Sequence, residues 1–123
     1  LRRDGVMTTG VAEHPDLLTG CAVTIVDPAG ETRTLIAGGA NHHAKAQQVP
    51  DEILKPGNVV LMQMEMSPEE NWALIDRAHA RGATTMLNLA PAINVSKAAL
   101  EKLDYLIVNQ AEARQMAGML GVS

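Results

Sequence analysis

Val59-Val60-Leu61-Met62-Gln63-Met64-Glu65-Met66-Ser67-Pro68-Glu69-Glu70 decides the fold. The first half is a nearly continuous apolar run. Such a run suits a parallel strand covered on both faces. The second half switches to helix-start chemistry. Ser67 is placed to cap, Pro68 suits the first helical turn, and Glu70 stands where a capping box needs a carboxylate. Trp72, Leu74, Ile75 and Ala78 then supply an apolar helical face, and Gly82 can close the helix in a left-handed conformation.

Downstream the rhythm repeats. Thr84-Thr85-Met86-Leu87-Asn88-Leu89 reads as the next strand, and Ser96 caps a short helix through Leu103. Tyr105-Leu106-Ile107-Val108 reads as a third strand, with a helix from about Gln110 to Leu120. The order β-α-β-α-β-α over 43–123 implies a parallel sheet with right-handed crossovers. Upstream, 1–42 has a different grain: an incoming helix end, a loop with Pro15, then two β-branched runs at 20–27 and 32–37. Asp27-Pro28-Ala29-Gly30 between them places Pro where a type I turn favours it, so 20–37 reads as a β-hairpin.

Composition narrows the function classes. The 123 residues carry 10 basic and 14 acidic side chains, a net charge of −4. With no basic run, nucleic acid is not an expected partner. Trp72 and Tyr105 are the only aromatic residues, too few for a base-stacking platform. Met62, Met64 and Met66 alternate as core filling does. No run of about 18 apolar residues predicts a membrane span. The opening Leu1-Arg2-Arg3-Asp4-Gly5 gives no expectation of a signal peptide. Cys21, the single cysteine, cannot form an internal disulfide and fits a reducing, cytoplasmic location.

Ligands of open parallel sheets bind outside the carboxyl ends of the strands. Three polar signals fall there: Gln63 and Glu65; Asn88 with Ala90-Pro91; and Asn109 with Glu112. Asn109-Gln110-Ala111-Glu112 reads equally as a capping box and as a carboxylate and amide that organise hydrated Mg²⁺ and phosphate oxygens at a helix start. Glu65 reads as a solvated loop residue or as an acceptor for ligand hydroxyls. Gly38-Gly39-Ala40-Asn41 matches no phosphate-loop spacing and reads as a flexible turn. His42 and His43 have no Cys or carboxylate at ligand spacing, so metal binding is not expected of them.

Six stretches, in order, resemble the middle of ribokinase and its relatives, the PfkB-type carbohydrate kinases. They are Leu18-Thr19-Gly20-Cys21-Ala22-Val23, Val26-Asp27-Pro28-Ala29-Gly30-Glu31, Gly39-Ala40-Asn41, Leu61-Met62-Gln63-Met64-Glu65, Asn88-Leu89-Ala90-Pro91-Ala92 and Asn109-Gln110-Ala111-Glu112-Ala113. The resemblance implies a partial ribokinase-like α/β fold with a small β-hairpin lid, and ATP-dependent phosphorylation of a sugar hydroxyl, D-ribose being the expected acceptor. It implies that Glu65, Ala22 and Thr24 contact the sugar. It implies that Asn109 and Glu112 serve ATP and phosphate, with Glu112 holding Mg²⁺ through water. It also implies that the lid hairpin can carry a homodimer contact.

Leu89 and Val108 stand where the family often has Pro, and Thr24 replaces a common apolar lid residue. The family's amino-terminal Gly-Gly region and its Asp-Thr-x-Gly-Ala-Gly-Asp element are absent from these residues. The latter supplies the catalytic base and anion hole, so no catalytic residue is assigned and the chain alone is expected to be inactive. A nucleoside, fructose or ketodeoxygluconate kinase is the alternative within the class. A truncated relative that binds a sugar or a protein partner without catalysis is the alternative outside it.

Overall fold

The structure is a computed structural model and describes residues 1–93 and 96–122. Its parallel sheet has the order β3(Val59–Gln63)-β4(Thr84–Asn88)-β5(Tyr105–Ile107). The connections carry α1(Pro68–Ala80) and α2(Lys97–Leu100), and α3(Gln110–Leu120) follows β5. A separate antiparallel hairpin pairs β1(Cys21–Val26) with β2(Thr32–Ala37). This is the expected mixed α/β architecture.

The hairpin closes through the chemistry of its turn. Asp27 Oδ1 accepts the N–H groups of Ala29 (2.8 Å) and Glu31 (2.9 Å), and Gly30 takes a left-handed φ of 83°. That is an Asx-type turn with glycine where a side chain would be strained. Gly82 likewise follows α1 at φ 77°.

The core lies between the sheet and α1. Leu74, Ile75 and Ala78 of α1 pack with Met62, Met64, Leu87 and Leu89. The two methionines fill the core as their alternation predicts. Thr85, fully buried, satisfies its polar atoms by tying down the loop before β5. Its hydroxyl lies 3.0 Å from both the Lys102 carbonyl and Asp104 Oδ2, and its N–H donates to Asp104 Oδ2 at 2.7 Å.

Several expectations need correction. β3 is covered on one face, not two: Met62 is buried, but Val59 and Leu61 are 60% and 65% exposed. Among the described residues β3 and β5 each leave an outer edge unpaired. The incoming helix end is a single 3₁₀ turn, Arg2–Asp4, stopped by Gly5 in a left-handed conformation. α2 ends at Leu100 rather than Leu103, and β5 ends before Val108.

The expected capping box on α1 does not form. Ser67 occupies the cap position, but its hydroxyl donates to Glu69 Oε2 at 2.5 Å. Glu70 turns away to accept from Lys45 Nζ (3.0 Å) and the Ala46 N–H (2.8 Å). A charge-assisted tertiary partner outcompetes the local backbone donor. Arg77, two turns further along α1, donates to the carbonyls of Ala46 and Val49 and to Asp51. Glu70 and Arg77 together clamp the segment 45–51 onto the helix.

Candidate functional site

The three strand ends are level. Gln63 pairs with Asn88, and Asn88 with Ile107, so the residues after β3, β4 and β5 emerge at one edge of the sheet. Glu65 stands in the turn after β3, exposed. That turn is anchored from below by Asn71 of α1, which is completely buried. Its Nδ2 donates to the Gln63 carbonyl (2.9 Å) and lies 3.5 Å from Met64 Sδ. Among the described residues its Oδ1 is buried with no protein partner. An amide held at that desolvation cost fixes the backbone immediately before Glu65.

Glu65 lines a cleft of about 290 Å³ together with Ile36, Gly38, His42, Ser67 and Ile93. The cleft therefore lies between the turn after β3 and the base of the hairpin. Gly38-Gly39-Ala40-Asn41 is no flexible turn: Gly39–His43 forms a 3₁₀ turn packed under that base. Gly39 has φ 49°, and a Cβ there would meet the Leu18 carbonyl at 2.4 Å. Backbone conformation and space both require glycine at that position.

Ala22 and Thr24 are exposed on β1 and are not among the residues lining this cleft. Their register links them to it. Ala22 pairs with Ile36, and Thr24 with Thr34. Directly opposed residues of an antiparallel pair share a face. The face carrying Ala22 and Thr24 is thus the face whose Ile36 reaches the cleft. The Thr24 and Thr34 hydroxyls are 3.2 Å apart. The opposite face carries Val23, Ile25 and Leu35, all exposed.

Asn109 and Glu112 do form the capping box. Asn109 Oδ1 accepts the Glu112 N–H at 2.8 Å, and Glu112 Oε2 accepts the Asn109 N–H at 2.8 Å. The box and the cleft share the sheet edge but not a lining. Among the described residues no cluster of three His, Cys, Asp or Glu could enclose a metal. A hydrated Mg²⁺, which keeps most of its waters, needs only one or two carboxylate oxygens. With Oε2 committed to the cap, Glu112 fits such an ion through its other oxygen.

Four carboxyl groups are held below their ordinary range. Glu70 is lowered by the Ala46 N–H and then by Lys45. Asp51 is lowered first by its hydrogen bond from Arg77. Asp104 is lowered by the Thr85 N–H and hydroxyl, and Glu69 by the Ser67 hydroxyl. These groups brace the scaffold. A larger cavity, about 430 Å³, opens between the loop carrying Val11 and His14 and the turn at Lys45–Val49. Among the described residues it is lined by no carboxylate.

Pattern reading missed His42 and Ile36 as cleft residues, and Asn71, Glu70 and Arg77 as its supports. Alternation within 32–37 could have selected Ile36 as the face-mate of Ala22. Asn71, Glu70 and Arg77 act across gaps of 7 to 31 residues, for which local patterns hold no signal.

A level strand-end edge, an exposed carboxylate and a small hairpin beside one cleft define an α/β segment with its cleft at the carboxyl ends of the strands. The chain belongs to the pfkB family of carbohydrate kinases, whose model matches residues 1–123. It is 32% identical over 115 residues to the ribokinase of Schizosaccharomyces pombe, covering 92% of this chain and 36% of that protein. It is 27% identical over 118 residues to the deoxyribokinase of Salmonella typhi, covering 94% of this chain and 39% of that protein. The solved ribokinase of Cryptococcus neoformans var. grubii in complex with ADP has the same fold. It superposes with a TM-score of 0.80 at 24% identity, covering 99% of this chain and 40% of that one. The chain spans at most two-fifths of the length of these relatives.

Proposed function

We propose that these residues are the lid and the sugar-contacting sheet edge of an ATP-dependent sugar kinase, with D-ribose as acceptor. The observation that carries this reading is the shared cleft of Glu65 and the hairpin base. Glu65 accepts hydrogen bonds from sugar hydroxyls there. The face bearing Ala22 and Thr24 covers the sugar. In this reading 1–42 supplies the lid and 43–123 the core segment. The kinship to a ribokinase and a deoxyribokinase supports a pentose over the nucleoside, fructose and ketodeoxygluconate alternatives.

ATP is the donor in this reading, as the family's kinase chemistry implies. Glu112 would hold Mg²⁺ through water. The ion would supply positive charge that offsets the charge of the transferring phosphoryl group. Asn109 keeps the Glu112 backbone in place by its cap bond. The protein works in the cytoplasm, where ATP is available. The outward hairpin face of Val23, Ile25 and Leu35 is where a second copy packs.

Nothing in these residues is assigned as the catalytic base, so the 123-residue chain alone does not transfer phosphate. Ribose-dependent ADP release is the test. We expect none from the pure 123-residue chain, and turnover from the natural gene product if that product is longer. Turnover by the short chain overturns the assignment of the base elsewhere. A longer product that phosphorylates none of ribose, deoxyribose, fructose or a nucleoside overturns the kinase reading.

A further inference from the structure

Among the described residues, the cleft that holds Glu65 is short of side-chain hydrogen-bond donors. Three of the described lining side chains are polar: His42, Glu65 and Ser67. The Ser67 hydroxyl spends its hydrogen on Glu69 at 2.5 Å. Pro68 and Pro91 line the cleft without an N–H to offer. A carboxylate such as Glu65 only accepts. A sugar hydroxyl bound to Glu65 donates to it, and its lone pairs then need a donor from the same cleft. Left without one in an otherwise apolar lining, they carry a desolvation penalty. An imidazole has an N–H in either neutral tautomer.

We infer that His42 is the side-chain donor of this cleft, a specificity-determining contact that pairs with Glu65 to take a polyhydroxylated sugar. The inference rests on the sugar-kinase reading above and extends it to a residue outside the matched motifs.

A second observation concerns how the ring is seated. A Cβ on Gly38 would lie 2.1 Å from His42 Nε2 and 2.7 Å from both Cδ2 and Cε1. The imidazole fills the space a side chain at 38 would need. Gly38 itself has φ −65° and ψ −30°, an ordinary right-handed helical conformation. Its backbone makes no demand for glycine, and a side chain there would have to displace the ring. Gly39, by contrast, needs glycine for its φ of 49°. The hairpin base is therefore shaped to hold His42 at the cleft wall.

The seat gives a sharp test. Ribose affinity of the full 123-residue chain is measured by calorimetry for wild type, His42→Ala, Gly38→Ala, the double variant and Glu65→Gln. Amide spectra of each variant establish that it is folded. Loss of one hydrogen bond weakens binding about five- to tenfold, and we expect that loss in His42→Ala. Gly38→Ala displaces the ring and produces a similar loss. The double variant is no weaker than either single one, because both remove the same contact. His42→Gln, which keeps a donor, recovers part of the affinity. If Glu65→Gln weakens ribose binding while His42→Ala and Gly38→Ala do not, the cleft binds sugar and the His42 assignment is wrong. If wild type takes up no ribose at all, the sugar reading falls and His42 with it.

Discussion

Asn71 shows how one buried amide can serve a residue it does not touch. It holds the Gln63 carbonyl, two residues before Glu65, while its own Oδ1 has no partner among the described residues. Asn71→Ala is expected to cost about 2 kcal/mol, from the unpaired carbonyl and the lost packing, and to weaken ribose binding by loosening the turn. Leu87→Ala, at a completely buried position of β4, is expected to cost about 3 kcal/mol but to leave the ribose affinity of the folded protein unchanged. Urea denaturation and calorimetry on the two variants separate the effects. Asp104 acts at the same scale through protons. Its carboxyl is lowered by Thr85, so the folded state binds fewer protons than the unfolded chain. The stability it contributes is present above the ordinary carboxyl value of about 4 and is lost as pH falls through the lowered folded value. Asp51 and Glu70, also lowered, add to the same acid limb. Urea midpoints at pH 7 and pH 3 should therefore differ less for Asp104→Asn than for wild type.

At the scale of elements, local chemistry succeeds where the partners are neighbours. The Asn109–Glu112 box forms as its spacing predicts, and α3 runs Gln110–Leu120 as expected. Asn109→Ala should destabilise by about 1 kcal/mol, read from the thermal midpoint. The Asp27 turn and both hairpin strands were legible for the same reason. α1 was legible in extent but not in its contacts. Its Glu70 finds Lys45 and Ala46, 25 and 24 residues away, and no spacing rule reaches that far. Arg77→Met should release the 45–51 segment, seen as faster amide exchange at Ala46 and Val49. The apolar run of β3 predicted two covered faces, because an apolar run records hydrophobicity and not what covers it. His42 was weighed only as a metal ligand, because its place on the cleft wall depends on the space above Gly38, which exists only once the hairpin has folded back.

At the scale of the molecule, the parts are a level sheet edge, a hairpin beside it and a cleft between them. The outward hairpin face offers Val23, Ile25 and Leu35 to solvent. Sedimentation at rising concentration should show self-association that Leu35→Glu abolishes; a monomer at all concentrations would contradict the pairing of two copies. The central claim is that Glu65 and the hairpin base form a sugar cleft. It is tested most directly by titrating D-ribose into the wild-type chain and into Glu65→Gln. Saturable binding by wild type, weakened at least tenfold in a folded Glu65→Gln, is the predicted result. Equal binding by the two proteins, or none by wild type, would contradict it.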